Sequence, residues 1–244
     1  MYKDYILIIG ASSDMGGAII RQLANENTVI LAHYHKNKEK IETIAAEVSG
    51  QIVSIAADLG TETGIKALIE GVEAECYFPN KIVHLSAPKL THIRFNKLCW
   101  QDFQYHLDIQ VGAIATILGI FLPKMAKAKS GKIVFMLSSV IFGVPPLAMA
   151  HYVTAKYALL GLLKALASEY KTKQITINAV SPSMVETDFL SEIPKKLVEL
   201  TAQQHPLKRN ALPEDIVPLV KFLLSNESDY ITGVNIPVTG GMIY

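Results

Sequence analysis

The chain has 244 residues, of which 50% are hydrophobic and 18% are charged, and its formal net charge at pH 7 is +1. This length suits one α/β domain, and the composition predicts a well-buried sheet rather than a disordered chain. The near-neutral charge and the lack of a basic tail argue against a nucleic-acid partner.

The two cysteines, Cys76 and Cys99, do not have the spacing of a zinc site or of a disulfide framework. We therefore predict free thiols and no metal. The first residues lead straight into a predicted strand without a cleavable signal, and the longest apolar run, residues 111–123, is too short to span a bilayer. These features predict a cytoplasmic protein with no membrane partner.

Short apolar runs and helical patterns alternate along the chain. Strands are predicted at residues 5–9, 28–32, 52–56, 82–85, 132–137, 175–180 and 234–238, and helices at 15–23, 38–48, 64–76, 100–125, 150–170 and 213–224. This alternation indicates a parallel sheet between helical layers. We predict an α/β fold in which residues 1–244 form a single doubly wound Rossmann domain, with a parallel sheet of about seven strands and helices on both faces.

A glycine-rich turn joins the first predicted strand to the first helix. It runs from Gly10 to Gly16 and includes Ser12, Ser13 and Met15. Backbone amides at a helix N-terminus bind anions, and the helix dipole adds to this preference. The turn therefore predicts a site for the pyrophosphate of a dinucleotide, the alternative being an ordinary tight turn.

The second predicted strand ends without a carboxylate. His35 and Lys36 stand where an acidic residue binds the ribose 2′-hydroxyl in dinucleotide folds, and basic groups accommodate a 2′-phosphate instead. The sequence therefore favours NADP(H) over NAD(H), the alternative being a solvated basic turn. After the third strand, Asp58 and Leu59 are predicted to contact the adenine edge, although Asp58 is also suited to cap the next helix.

Two further polar residues follow in the middle of the chain. Ser86 comes directly after the fourth predicted strand, which adds another strand end to the predicted cofactor cleft. The next helix is almost wholly apolar from residue 111 to residue 122, which predicts burial in the core or at a subunit contact. Gln110 is the conspicuous polar group of this helix.

Tyr152 and Lys156 lie four residues apart on a predicted helix, after a strand that ends at Ser138 and Ser139. Residues at this spacing share a helix face. A lysine about 5 Å from a phenol stabilises the phenolate by roughly 3 kcal/mol, which predicts a Tyr152 pKa about two units below its usual value. Such a phenol can give or take a proton while Ser139 holds the reacting oxygen. For the pair taken alone, the alternative is an edge tyrosine beside a solvated lysine.

The strand at residues 175–180 opens into a turn that contains Pro182, and residues 186–212 then form a polar stretch with two prolines. We predict that this stretch is a mobile substrate-binding segment over the cleft. Its lysine and arginine residues are Lys195, Lys196, Lys208 and Arg209. Near an entrance they would suit a phosphopantetheine arm, an acyl-carrier protein or a sugar phosphate, and a solvated lid helix is the alternative.

Together these motifs resemble those of the short-chain dehydrogenase/reductase family, over residues 5–242. The resemblance is carried by the turn from Gly10 to Gly16, by Asp58, by Ser139 thirteen residues before Tyr152, by Tyr152-x-x-x-Lys156, by the stretch from Asn178 to Pro182 and by Gly240-Gly241. The subgroup that it resembles most is that of the β-ketoacyl-carrier-protein reductases, which are commonly tetramers. The chain departs from the family pattern at Asp14, at residues 85–88, at Gln110 and at Ser183.

The resemblance implies a role for each motif. Ser139 would hold the substrate oxygen, Tyr152 would act as general acid, and Lys156 would lower the tyrosine pKa and reach the nicotinamide ribose. Gln110, in place of the family's asparagine, would position a relay water. Pro182, Val185 and Thr187 would lie at the nicotinamide.

The predicted function is therefore NADPH-dependent reduction of a ketone or 3-oxoacyl-type carbonyl to a secondary alcohol. The substrate would be a small molecule or carrier-bound, and the enzyme a homotetramer or homodimer. One alternative is an NAD(P)⁺-dependent alcohol or sugar dehydrogenase, or an epimerase. Another, from a different class, is a non-catalytic NADPH-binding regulator.

Overall fold

The computed structural model describes residues 4–243, which form one seven-stranded parallel sheet. The strands are β1 (Asp4–Ile9), β2 (Thr28–Tyr34), β3 (Gln51–Ala56), β4 (Lys81–His84), β5 (Gly131–Met136), β6 (Ile175–Pro182) and β7 (Asn235–Val238), in the spatial order β3-β2-β1-β4-β5-β6-β7. From β1 the chain adds strands first on one side, β2 and β3, and then on the other, starting with β4. Doubly wound sheets bind ligands at such a switch point, outside the carboxyl ends of the strands. The predicted fold class is confirmed.

Eight α-helices lie within the same described residues. They are α1 (Asp14–Leu23), α2 (Lys38–Glu47), α3 (Glu62–Glu75), α4 (Trp100–Leu107), α5 (Ala113–Ala128), α6 (Ala150–Tyr170), α7 (Lys195–Gln204) and α8 (Pro213–Leu223). Along β1, Leu7 and Ile9 pack on the side of α3, α5 and α6, whereas Ile6 and Ile8 pack on the side of α1, α2 and α8. Successive strand residues face opposite ways, so this alternation buries both faces of the sheet.

The predicted helix at residues 100–125 is not one regular helix. It is divided into α4 and α5 by a π-helical turn, Asp108–Gly112, which contains Gln110. By length and composition alone the stretch Trp100–Ala128 would cross a membrane, but α5 packs Ile114, Phe121 and Met125 into the core beside the sheet. The predicted long helix is therefore present, and it contains one π-helical turn that apolar periodicity does not reveal.

The segment of residues 186–212 is closed at its base. The backbone of Val185 pairs with that of Ala211, and the Glu186 amide donates to the Ala211 carbonyl at 2.9 Å. Between these points lie a short helical turn, Asp188–Leu190, and α7. The segment therefore leaves and rejoins the fold at one place beside the carboxyl end of β6.

Candidate active site

A cavity of about 750 Å³ opens at the carboxyl ends of the central strands. Its wall contains nine of the predicted site residues, namely Ser12, Ser13, Met15, Ser139, Tyr152, Lys156, Pro182, Val185 and Thr187. The other predicted residues, Gly10, Gly16, His35, Lys36, Asp58, Leu59, Ser86 and Gln110, are outside that wall. One cavity wall therefore contains the predicted catalytic pair, three residues of the predicted phosphate turn and the three predicted nicotinamide residues.

The turn before α1 leaves no room for side chains at two of its positions. Gly10 has a φ of +91°, and a Cβ on Gly16 would lie 2.5 Å from the Ala11 carbonyl oxygen. Ser13 caps α1, since its Oγ accepts from the Gly16 amide at 3.0 Å. Within residues 4–243, the amides of Ser12 and Met15 have no protein acceptor. The turn therefore presents free donors at a helix N-terminus, which fits a dinucleotide pyrophosphate.

His33, at the end of β2, holds this turn in place. Its Nδ1 accepts from the Gly10 amide at 3.1 Å, and its Nε2 donates to the Ala57 carbonyl at 3.1 Å. Burial lowers the pKa of His33 to about 4, so the ring is neutral and its proton is on Nε2. Sequence reasoning missed this residue, because its partners are 23 and 24 residues away in the chain.

The predicted adenosine end lies beyond the cavity wall. The Nε2 of His35 is 3.8 Å from the Oδ2 of Asp58, and both side chains are about half exposed. Asp58 accepts from the Gly60 amide at 2.9 Å, while the cap of α3 is Thr61. The alternative assignment of Asp58 as that cap is thus excluded, and its second carboxylate oxygen lies beside His35.

Asp14, the first residue of α1, places a negative charge beside the predicted phosphate turn. One carboxylate oxygen is paired with the Lys40 ammonium of α2, and the other accepts from the Asp188 amide at 2.7 Å. Burial opposes ionisation of the Asp14 carboxyl, but the contacts with Lys40 and Asp188 outweigh it and hold the pKa below its usual value. Asp14 is therefore ionised at neutral pH and bound on both sides.

Tyr152 and Lys156 are both buried at the inner end of the cavity. The Lys156 Nζ lies 5.4 Å from the centre of the Tyr152 ring and donates to the Met136 carbonyl at 2.8 Å. Burial raises the pKa of Tyr152 to about 12 and lowers that of Lys156 to about 7. The predicted lowering of the tyrosine pKa was wrong for this structure, because loss of solvation is the largest influence on the buried phenol.

Two consecutive serines follow β5 beside the phenol, and both line the cavity. Burial raises the Tyr152 pKa, and the nearby Ser138 side chain partly offsets that rise. The Oγ of Ser138 also accepts weakly from the Val140 amide, at 3.4 Å. The serine selected from the sequence, Ser139, therefore lies in the cavity wall together with its neighbour Ser138.

Gln110 is fully buried in the π-helical turn and contacts His106, whose ring lies 6.2 Å from that of Tyr152. Its backbone carbonyl accepts from His84 Nε2 at 2.9 Å, and its Nε2 donates to His106 Nδ1 at 2.9 Å. Its Oε1 has no partner among the described residues. The side chain therefore keeps one buried acceptor available, which can bind a water.

Many of the side chains that line the cavity are apolar, among them Leu90, Leu147, Met149, Met184, Phe189, Leu190, Ile193, Leu197 and Met242. None of the four basic residues predicted at the entrance is in the wall. Arg209 makes two hydrogen bonds to Asp215, at 2.6 and 2.8 Å, and the Lys208 Nζ donates to the Gln203 carbonyl. The wall therefore favours an apolar substrate body over a phosphate.

Comparison with known sequences agrees with this geometry. A family model described as Enoyl-(Acyl carrier protein) reductase matches residues 10–243. The 3-oxoacyl-[acyl-carrier-protein] reductase FabG of Staphylococcus aureus is 32% identical over 243 residues, which cover 97% of this chain and 96% of that protein. Nodulation protein G of Rhizobium sp. is 28% identical over 237 residues, with 97% and 95% covered. The chain belongs to the short-chain dehydrogenase/reductase family and is an enzyme of that class.

Solved structures share its fold over the full length. Levodione reductase superposes with a TM-score of 0.88 at 24% identity, covering 99% of this chain and 98% of that one. The promiscuous reductase LugOII, which catalyses keto-reduction in lugdunomycin biosynthesis, gives a TM-score of 0.90 at 21% identity, with 100% and 99% covered. Enzymes of this family use a nicotinamide dinucleotide, which supplies or accepts the hydride, and the free amides of the Gly10–Gly16 turn fit its pyrophosphate.

Proposed function

We propose that this enzyme reduces a ketone or 3-oxoacyl-type carbonyl to a secondary alcohol, with NADPH as hydride donor and Tyr152 as general acid. The observation that carries the proposal is the buried pair of Tyr152 and Lys156 at the inner end of a largely apolar cavity. Because burial raises the Tyr152 pKa to about 12, the phenol keeps its proton at neutral pH. A protonated phenol suits reduction, in which it donates to the forming alkoxide, better than oxidation, which needs a base.

Each neighbouring residue has one part in this proposal. Ser139 donates a hydrogen bond to the substrate oxygen, with Ser138 beside the Tyr152 hydroxyl. Lys156 is anchored on Met136 and retains further N–H groups for ribose hydroxyls. Gln110 positions a relay water through its unpartnered Oε1. The proton that leaves Tyr152 is thus replaced along a chain of buried polar groups.

We propose a preference for NADP(H) over NAD(H). His35 and Lys36 follow β2 without an acidic residue that would bind a 2′-hydroxyl. Asn37, which caps α2, lines the cavity at this end, whereas the charge of the neighbouring Lys40 is paired with Asp14. The basic side chains directly after β2, His35 and Lys36, suit a 2′-phosphate.

The remaining proposals concern the nicotinamide turn, the substrate and the assembly. Pro182, Val185 and Thr187 would lie at the nicotinamide, and residues 186–212 would move over the substrate. The apolar side chains of the cavity wall support a substrate with an apolar body, and the names of the relatives support an acyl chain on a carrier as one such body. Exposed aromatic and aliphatic side chains on α4, α5 and α6, namely Trp100, Tyr105, Ile120 and Tyr157, support a homodimer or homotetramer.

An exposed free thiol at Cys99 supports a reducing compartment such as the cytoplasm.

A panel of carbonyl compounds tests the proposed function. The purified enzyme is mixed with NADPH or NADH, and the loss of reduced nucleotide is followed with acetoacetyl thioesters, apolar cyclic ketones and sugar phosphates. We expect turnover with NADPH and an apolar ketone or thioester, and faster reduction than oxidation at pH 7. Tight NADPH binding without turnover on any compound would favour a non-catalytic regulator, and faster oxidation of alcohols would favour the dehydrogenase.

A further inference from the structure

We propose that Asp14 is a positioning residue that clasps the 186–212 segment to the cofactor turn and so slows the release of the dinucleotide. The proposal rests on the proposed function in one respect, since it takes the cavity beside α1 as the dinucleotide site. The proposal gives a role to the Asp14 carboxylate, which is not needed to bind a pyrophosphate.

The first step is the position of the two contacts. Asp14 begins α1, Lys40 belongs to α2, and Asp188 begins the helical turn that follows β6, 174 residues further along the chain. All three residues line the cavity. The hydrogen bond of 2.7 Å from the Asp188 amide to Asp14 therefore joins two parts of the chain that are 174 residues apart, both in the cavity wall.

The second step is what the contact restrains. Asp188 directly follows Thr187, at the predicted nicotinamide end, and Asp14 directly follows Ser13, at the predicted phosphate end. A dinucleotide that reaches from one turn to the other would pass beside this contact. Its departure then requires the Asp14 to Asp188 hydrogen bond to open, or the whole segment to move with it.

The third step is the charge. A carboxylate beside a pyrophosphate site would repel the ligand if it were free, but the Lys40 ammonium neutralises this one. The side chains of Lys40 and Asp14 are 29% and 30% exposed, so the pair is only partly screened by solvent. Asp14 can therefore hold the segment at little electrostatic cost to an anionic ligand.

The test uses a charge-neutral double variant, Asp14→Ala with Lys40→Met, so that a freed lysine does not attract the phosphates. NADPH release is measured by stopped-flow fluorescence. Loss of one hydrogen bond to a charged acceptor predicts release about tenfold faster than in the unaltered protein. The variant Asp14→Asn with Lys40→Met also lacks the lysine but keeps an acceptor for the Asp188 amide, so it should release NADPH no more than about threefold faster than the unaltered protein. The control is Glu47→Gln, which breaks the 2.7 Å ion pair of Arg21 with Glu47 between the same two helices.

Hydrogen exchange of the Asp188 amide is measured in the same variants without nucleotide. We expect about tenfold faster exchange in the double variant and no change in Glu47→Gln. If the unaltered protein binds NADPH normally but the double variant releases it no faster, the role of Asp14 is refuted and the proposed function stands. If the unaltered protein does not bind NADPH, the proposed function fails. Separately, an unchanged exchange rate of the Asp188 amide in the double variant would show that Asp14 does not hold the segment.

Discussion

The Lys156 ammonium lies 5.4 Å from the centre of the Tyr152 ring, and its hydrogen bond goes to the carbonyl of Met136. Both side chains are almost fully buried, so loss of solvation disfavours the charged form of each. The pKa of Tyr152 rises to about 12 and that of Lys156 falls to about 7. The protein thus holds a neutral phenol beside a lysine that titrates near neutrality.

The first prediction separates the two serines that follow β5. Removing a hydrogen-bond donor from the substrate oxygen costs catalysis specifically, so Ser139→Ala should lower kcat by about 100-fold. Ser138→Ala leaves that donor in place. It removes only the effect of Ser138 on the Tyr152 pKa, so it should lower kcat by about tenfold at most. Steady-state kinetics with the best ketone of the panel give both values. A larger loss for Ser138→Ala would transfer the oxygen-binding role to Ser138.

The second prediction concerns the choice of nucleotide. Removing a charged hydrogen bond to a 2′-phosphate weakens binding by about tenfold, so Lys36→Ala should raise the KM for NADPH by that factor and leave the KM for NADH unchanged. Lys38→Ala is the matched control, since Lys38 lies two residues further on and is paired with Glu42. Equal effects on both nucleotides in the Lys36 variant would remove this residue from the 2′-phosphate site.

The third prediction concerns acid sensitivity. Burial lowers the pKa of His33 to about 4 and that of His84 to about 3, from 6.5. The unfolded chain therefore binds more protons below pH 6.5, and stability falls as the pH decreases from 6.5 towards 4. His33 alone should remove about 2 kcal/mol from the free energy of unfolding between pH 7.5 and pH 5.

Urea unfolding at these two pH values measures the effect. The His33→Asn variant keeps an acceptor for the Gly10 amide but does not titrate, so its loss between pH 7.5 and pH 5 should be smaller by about 2 kcal/mol. An identical pH dependence in His33→Asn would show that His33 is charged in the folded protein.

The sheet and most of its helices could be predicted from the sequence, because their signals are local. Apolar runs that end in glycine or serine predicted the strands, and the spacing of Tyr152 and Lys156 predicted a shared helix face that the structure places in the cavity. The glycine turn could be predicted as well, because the backbone that a Cβ on Gly16 would meet belongs to Gly10 and Ala11 of the same turn.

Features that depend on distant contacts could not be predicted. His33 is important because β1 and the end of β3 lie on either side of β2, which no local pattern shows. Arg209 was expected at the entrance, yet Asp215 at the start of α8 binds it. The upward pKa shift of Tyr152 depends on how completely the fold excludes water from the phenol. Each of these properties arises from tertiary packing rather than from residue spacing.

The most direct test of the account is the turnover of Tyr152→Phe with NADPH and the best ketone of the panel. The variant keeps the ring beside His106 and Phe189 and loses only the hydroxyl. We predict that kcat falls by about 1,000-fold or more, while NADPH binding stays within about threefold. Tyr157→Phe, which removes a hydroxyl that donates to the Ile141 carbonyl at 3.1 Å, is the matched control and should keep normal turnover. An unchanged kcat in Tyr152→Phe would contradict the assignment of Tyr152 as general acid.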